Sequence, residues 1–190
     1  MGNKAIKVKA EELLSFGIPK QQVFDNLLLQ FPEAKPKKVA EVVRYMPSLL
    51  ARERYRTLHL TLLGLIAASA LLRLARPLLQ GAIGPDQATA YLSLVPIASL
   101  LLGYSLYRWQ GQVFEWVGWG NAVGAFGLLN DLGELVKDGA DLWTLTGRML
   151  SVSIGGVALY LAHRVFTKPK VEKDPLTGAE RMVFKEEGMI

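Results

Sequence analysis

The 190-residue chain has no cysteine, so disulfides, thiolate nucleophiles and cysteine-bound zinc or iron–sulfur centres are excluded. Charge is sparse through the middle. Residues 57–163 carry 5 Lys+Arg and 6 Asp+Glu, a net of −1, whereas residues 1–56 carry 11 and 6, a net of +5, and residues 164–190 carry 6 and 5, a net of +1. The basic balance belongs to the two ends, and the centre suits a medium in which charge is costly. Catalytic signatures are missing as well: there is no HExxH, no Walker loop, no GxSxG and no GxGxxG in a strand–turn–helix setting. Neither an enzyme nor a bound metal or cofactor is expected. The first twelve residues, MGNKAIKVKAEE, hold three lysines and two glutamates around no apolar core, unlike a secretory signal. Lys7 stands where the myristoylation pattern needs Ser or Thr.

What the chain does have is apolar runs of spanning length, for which about 20 helical residues are needed. Gln87–Tyr107 has 21 residues and no charge, with Pro96 at a place where membrane helices tolerate a kink. Thr57–Leu72 is free of charge for 16 residues and reaches spanning length if it continues to Arg76, whose stem can snorkel. Two shorter runs follow, one with Glu115 near its start and one with His163 and Arg164 near its end. The expected fold is all-α: a polytopic membrane protein in which residues 57–166 form a four-helix transmembrane bundle, with spans at about 57–76, 87–107, 113–130 and 149–166. Residues 1–56 are expected to form a small three-helix cytoplasmic head with a juxtamembrane helix, and residues 167–190 a cytoplasmic tail.

Orientation follows from the positive-inside bias. With both termini in the cytoplasm, the 11 basic residues of the head, Arg108 and the 6 of the tail lie inside, and Arg73, Arg76, Lys137 and Arg148 lie outside. Tyr104, Tyr107, Trp109, Phe114, Trp116 and Trp119 gather around the inner hairpin like an interfacial belt. The expected location is the cell inner (plasma) membrane.

The stretch GWGNAVGAFG (118–127) looks like a loop until its glycines are counted. Gly120, Gly124 and Gly127 fall at i, i+4 and i+7, one helical face, and Gly120–Gly124 is a GxxxG pair. Ser151, Gly155 and Gly156 on the fourth run offer a matching surface of small residues. A packing seam within the chain is expected ahead of self-association through the same face. Asn121, beside this face, is expected to bond a neighbouring helix rather than to line a pore.

In the head, Ile6, Ala10, Leu13 and Leu14 make one apolar stripe closed by Gly17. Phe24, Leu27, Leu28 and Phe31 make a second after Pro19, and Val39, Val42, Val43 and Met46 a third between Pro36 and Pro47. Ser48 reads as the N-cap of a helix that carries Arg52, Arg54 and Arg56 to the level of anionic headgroups. The charges of the head are spread and interleaved with acids, so nucleic acid is not an expected partner. The tail contains DPLTG (174–178) between β-favouring residues, and either a hairpin or disorder fits it.

Five polar residues are placed at the inner interface by this topology: His59, Arg108, Glu115, His163 and Arg164. Structural pairing is the expected role, ahead of a proton relay or a haem held between the two histidines. The expected partners are the lipid bilayer and either a protein or a second copy. The reading that follows is an interaction or regulatory protein whose head engages a protein. A membrane-perturbing, pore-related or toxin-neutralising component and a small redox or proton-handling membrane protein are the alternatives.

Overall fold

A computed structural model of the chain describes residues 3–79, 100–128, 142–173 and 180–184. The protein is mostly helical and divides into two compact units, one made of residues 1–56 with 162–190, the other of residues 57–161.

In the first unit, α1 (Asn3–Ser15), α2 (Lys20–Gln30) and α3 (Pro36–Arg44) pack on one another. Ile6, Ala10 and Leu14 meet Val23, Phe24, Leu27, Val39, Ala40 and Val43 in a closed core. Ile6, Ala10, Leu14, Phe24, Leu27, Val39 and Val43 are expected stripe positions, and Val23 and Ala40 join them. Gly17 ends α1 at φ 78°, with the N–H of Gly17 on Leu14 O and that of Ile18 on Leu13 O. That pair of bonds defines a Schellman cap, whose left-handed residue favours glycine. Pro19 and Lys35 precede α2 and α3, and Pro36 opens α3 where its missing N–H costs nothing. Ser48 caps α4 (Leu49–Arg54) by accepting from the Ala51 N–H at 3.1 Å.

The tail joins this unit. Strands β1 (Lys170–Lys173) and β2 (Glu180–Val183) pair antiparallel, setting Glu172 across from Arg181 and Lys173 across from Glu180. Opposite charges face each other at both places. Phe184 then completes the helical core: it is buried, its ring centroid lies 5.7 Å from that of Phe24, and its N–H donates to Gln21 Oε1 at 2.8 Å. Arg181 reaches Asp25 at 3.3 Å. The mostly helical fold is consistent with the all-α expectation; the tail adds one pair of strands, and Phe184 joins the head's core. The expected turn at 174–178 lies outside the described residues.

In the second unit run α5 (Arg56–Leu79), α6 (Gly111–Ala122) and α7 (Leu142–Val165), whose last turn belongs to the first unit. Residues 100–107 and 124–128 are also helical. Leu62, Leu106, Phe114, Val117, Ile154, Ala158 and Leu161 are buried. Among the described residues, two helices are long and apolar enough to cross a membrane: Arg56–Arg76 and Leu142–Val165. The second begins seven residues ahead of the expected 149. The expected span 113–130 is interrupted at Val123 and is followed here only to residue 128. Most of the expected span 87–107 lies outside the described residues.

Because Phe184 fills a core whose other members come from three helices, Phe184→Ala should cost about 3 kcal/mol of the first unit's stability. Faster hydrogen exchange at the Val23–Leu27 amides of the full chain, with α5 amides unchanged, is the expected reading.

Candidate functional site

Two constellations in the second unit, and one helix end in the first, hold polar groups packed among the described residues.

The first constellation is the line along which α7 meets α6 and residues 124–127. A Cβ on Gly155 would sit 3.1 Å from Ala122 N, 3.2 Å from the Asn121 carbonyl carbon and 3.2 Å from Gly118 O. These are backbone atoms, so the two main chains touch. A Cβ on Gly118 would fall 2.6 Å from the Leu159 side chain, and one on Gly124 3.0 Å from Ser151 Oγ. Gly127 lies under the Arg148 guanidinium. Positions rise along α7 (148, 151, 155, 159) as they fall along its neighbour (127, 124, 121–122, 118), so the two run antiparallel.

One polar link crosses this line. Ser151 Oγ donates to Asn121 Oδ1 at 2.8 Å, and Asn121 Nδ2 donates to Val117 O at 2.8 Å. The second bond competes with the backbone ladder for the i−4 carbonyl, a contact that bends helices. The interruption at Val123 follows two residues later.

The expected face is thereby corrected. Gly120 has nothing within 4 Å of a Cβ position among the described residues, and neither has Gly156. Two residues on a helix are 200° apart, so Gly118 faces α7 and Gly120 faces away. Val123, at φ −58° and ψ −29°, keeps helical backbone angles between Gly120 and Gly124, although the hydrogen-bond ladder is interrupted there. Of the six small residues singled out, Gly124, Gly127, Ser151 and Gly155 meet a partner across the line.

The second constellation surrounds His59. Helix 100–107 ends with Trp109 N–H on Leu106 O at 2.8 Å and Gln110 N–H on Ser105 O at 3.2 Å. This is again a Schellman cap, but its left-handed residue is Trp109, at φ 54°. A bulky residue there costs about 1–2 kcal/mol. The buried His59 ring offsets that cost. Its centroid lies 4.0 Å from that of Trp109, with Phe114 at 5.9 Å, and its Nε2 is 3.0 Å from Leu106 O. A carbonyl only accepts, so Nε2 carries the proton.

The other residues of the expected interfacial cluster are distributed as follows. Arg108 is exposed and Glu115 is half-buried on α6. His163 and Arg164 are exposed on the last turn of α7, within the first unit. His59 finds its partners in two aromatic rings and a main-chain oxygen, none of which the expected cluster contained. Among the described residues, no three His, Cys, Asp or Glu side chains group as metal ligands would.

In the first unit, Lys20 is buried and donates from Nζ to Val165 O at 2.7 Å, while Arg44 Nε donates to Phe166 O at 3.3 Å. Both cations meet carbonyls at the C-terminal end of α7, where the helix dipole favours positive charge. Arg52, Arg54 and Arg56 are exposed.

With the fold and these sites described, comparison with known proteins adds nothing further: no family model, curated protein or solved structure matches the chain.

Gly155→Ala must push two backbones apart and should cost about 1–3 kcal/mol. Gly120→Ala and Gly156→Ala should be neutral or gain up to about 1 kcal/mol from helix propensity. Thermal unfolding in detergent gives the ranking, and equal losses at all three sites contradict it. At the second constellation, Trp109→Gly and Trp109→Ala both lose the ring stack, but only alanine keeps the left-handed penalty. The glycine variant should be the more stable of the two by about 1 kcal/mol, with the parent above both.

Proposed function

We propose that the chain is a four-span protein of the cell inner membrane, both termini in the cytoplasm, acting as an interaction or regulatory module whose head engages a protein partner. The observation that carries the membrane part is the outward surface of α5 and α7. Leu60, Leu71, Leu142 and Met149 are exposed along helices of spanning length. Leaving such side chains in water forfeits about 1.5–3 kcal/mol each, whereas lipid tails receive them without loss.

The count of four is supported by His59. This residue sits in the first turn of α5, and its bond to Leu106 O returns the chain to the level where α5 began. Meanwhile Leu79 and Leu142 lie at the far ends of α5 and α7. If those two helices cross, Leu79 and Leu106 are on opposite sides, and so are Trp109 and Leu142, which supports two further crossings. The antiparallel line from Gly118–Leu159 to Gly127–Arg148 is that last crossing seen from the side of α7.

The interaction reading is supported by the closed core of the head and by Val8 and Leu29 (81% exposed), which lie outside it. We favour it over the pore reading because the polar side chains of Asn121 and Ser151 in the helix line bond each other across it. We favour it over the redox reading because His59 is engaged by a carbonyl and two rings.

A photoreactive residue at Leu29 of the full chain should give one discrete adduct in native membranes, and the same residue at Leu71 should give none. Lack of any adduct from Leu29 and from Val8 removes the partner reading. Release of the chain by alkaline washing without detergent removes the membrane reading.

A further inference from the structure

We infer that α4, with the turn that follows α1, is a lipid-docking wedge that binds anionic headgroups and holds the head against the bilayer. The inference rests on the membrane reading above and does not depend on the protein partner.

Helix α4 turns Ala51 into the core and leaves Leu49 and Leu50 outside, Leu50 at 60% exposure. Its remaining side chains, Arg52, Glu53 and Arg54, are exposed, and exposed Arg56 follows. Leu50 and Arg54 share one side of the helix at i, i+4. Gly17 brings the end of α1 against α4, its Cβ position 3.8 Å from Leu49 Cδ2. Phe16, the neighbour of Gly17, is 75% exposed. The surface therefore combines Phe16, Leu49 and Leu50 with Arg54, while Arg52 flanks the helix on its other side and Arg56 follows it. That composition suits the boundary between headgroups and acyl chains, where apolar side chains enter and guanidinium groups meet phosphate.

Chain geometry selects lipid as the occupant. Arg54 and Arg56 are two residues apart, so at most about 7 Å separate them. Leu50 lies four helical residues from Arg54, roughly 6 Å further. Arg56 begins the first helix of spanning length. Whatever attitude the head adopts, α4 stays within about 13 Å of the point where that helix meets the membrane surface. An exposed leucine pair cannot be carried far from lipid on so short a tether. The order of the wedge is set from within the head: Ser48 caps α4, and Arg54 lies over the Tyr55 ring at 5.9 Å.

An arginine near an anionic surface favours docking by about fivefold, so three together favour it on the order of a hundredfold. The cysteine-free chain allows a single spin label at Leu50→Cys, with Leu71→Cys and Leu29→Cys as references. Each full-length variant is placed in nanodiscs of phosphatidylcholine with and without phosphatidylglycerol, and accessibility to oxygen is compared with that to a water-soluble nickel complex. The expected result is a lipid-type ratio at 50 only with the anionic lipid, a lipid-type ratio at 71 in both, and a water-type ratio at 29. Replacing Arg52, Arg54 and Arg56 by Gln should return position 50 to water. A label at 50 that stays in water, or enters lipid equally in both compositions, overturns the inference while 71 upholds the membrane reading. Water-type ratios at 71 would instead remove the membrane reading itself.

Discussion

Helix α6 can lie against α7 only because residues 118 and 155 carry no side chains. At Gly155 the neighbouring backbone is close enough that a methyl group would overlap three main-chain atoms. Dispersion between main chains, and the bonds that such closeness permits, are what this approach gains. The Ser151–Asn121 bond needs it, because a serine side chain is too short to span a wider gap. So does the seating of the Arg148 guanidinium over Gly127 at the other end of the line. A single added methyl at 155 therefore acts on the whole line rather than on one contact.

The first unit is held by a different device, the joining of segments far apart in sequence. Phe184 closes a core made by residues 6–43, and Lys20 and Arg44 meet the last carbonyls of α7. A buried ammonium is costly unless its donors are used. Here it meets the end of a helix that offers unsatisfied oxygens and a negative dipole terminus. The head alone, about 45 residues in three helices, would be a marginal domain. The hairpin and the helix end supply the contacts that the short head lacks.

Much of the head was legible in the sequence because its information is local. Helical periodicity picked out Ile6, Ala10, Leu14, Phe24, Leu27, Val39 and Val43, and cap chemistry picked out Gly17 and Ser48. Non-local partners were not legible. Nothing beside Lys20 indicates that its amine ends on a carbonyl 145 residues away, and nothing beside Phe184 indicates a helical core. Residue counting included Gly120, which has no described atom within 4 Å of its Cβ position, and left out Gly118, which meets Leu159. Arg148 stood just ahead of the expected fourth span, whereas α7 begins at Leu142 and sets the Arg148 guanidinium over Gly127. Trp109 carried no signal at all, since left-handed caps are expected at glycine.

The joining of tail and head also bears on orientation, by a route separate from counting lysines and arginines. A core that takes Phe24 from one end of the chain and Phe184 from the other can form only where both ends share a compartment. On the membrane reading, the number of crossings between Arg56 and Ala162 must then be even. The positive-inside bias reaches the same parity from the charges of the loops, with no reference to packing. The two arguments can fail independently: a charge change could invert the molecule, but it could not separate the termini without taking Phe184 out of the core. On that reading the direction of insertion would rest on the basic ends, and the parity on the contacts that join tail to head, Phe184 with Phe24 and Gln21 and Arg181 with Asp25.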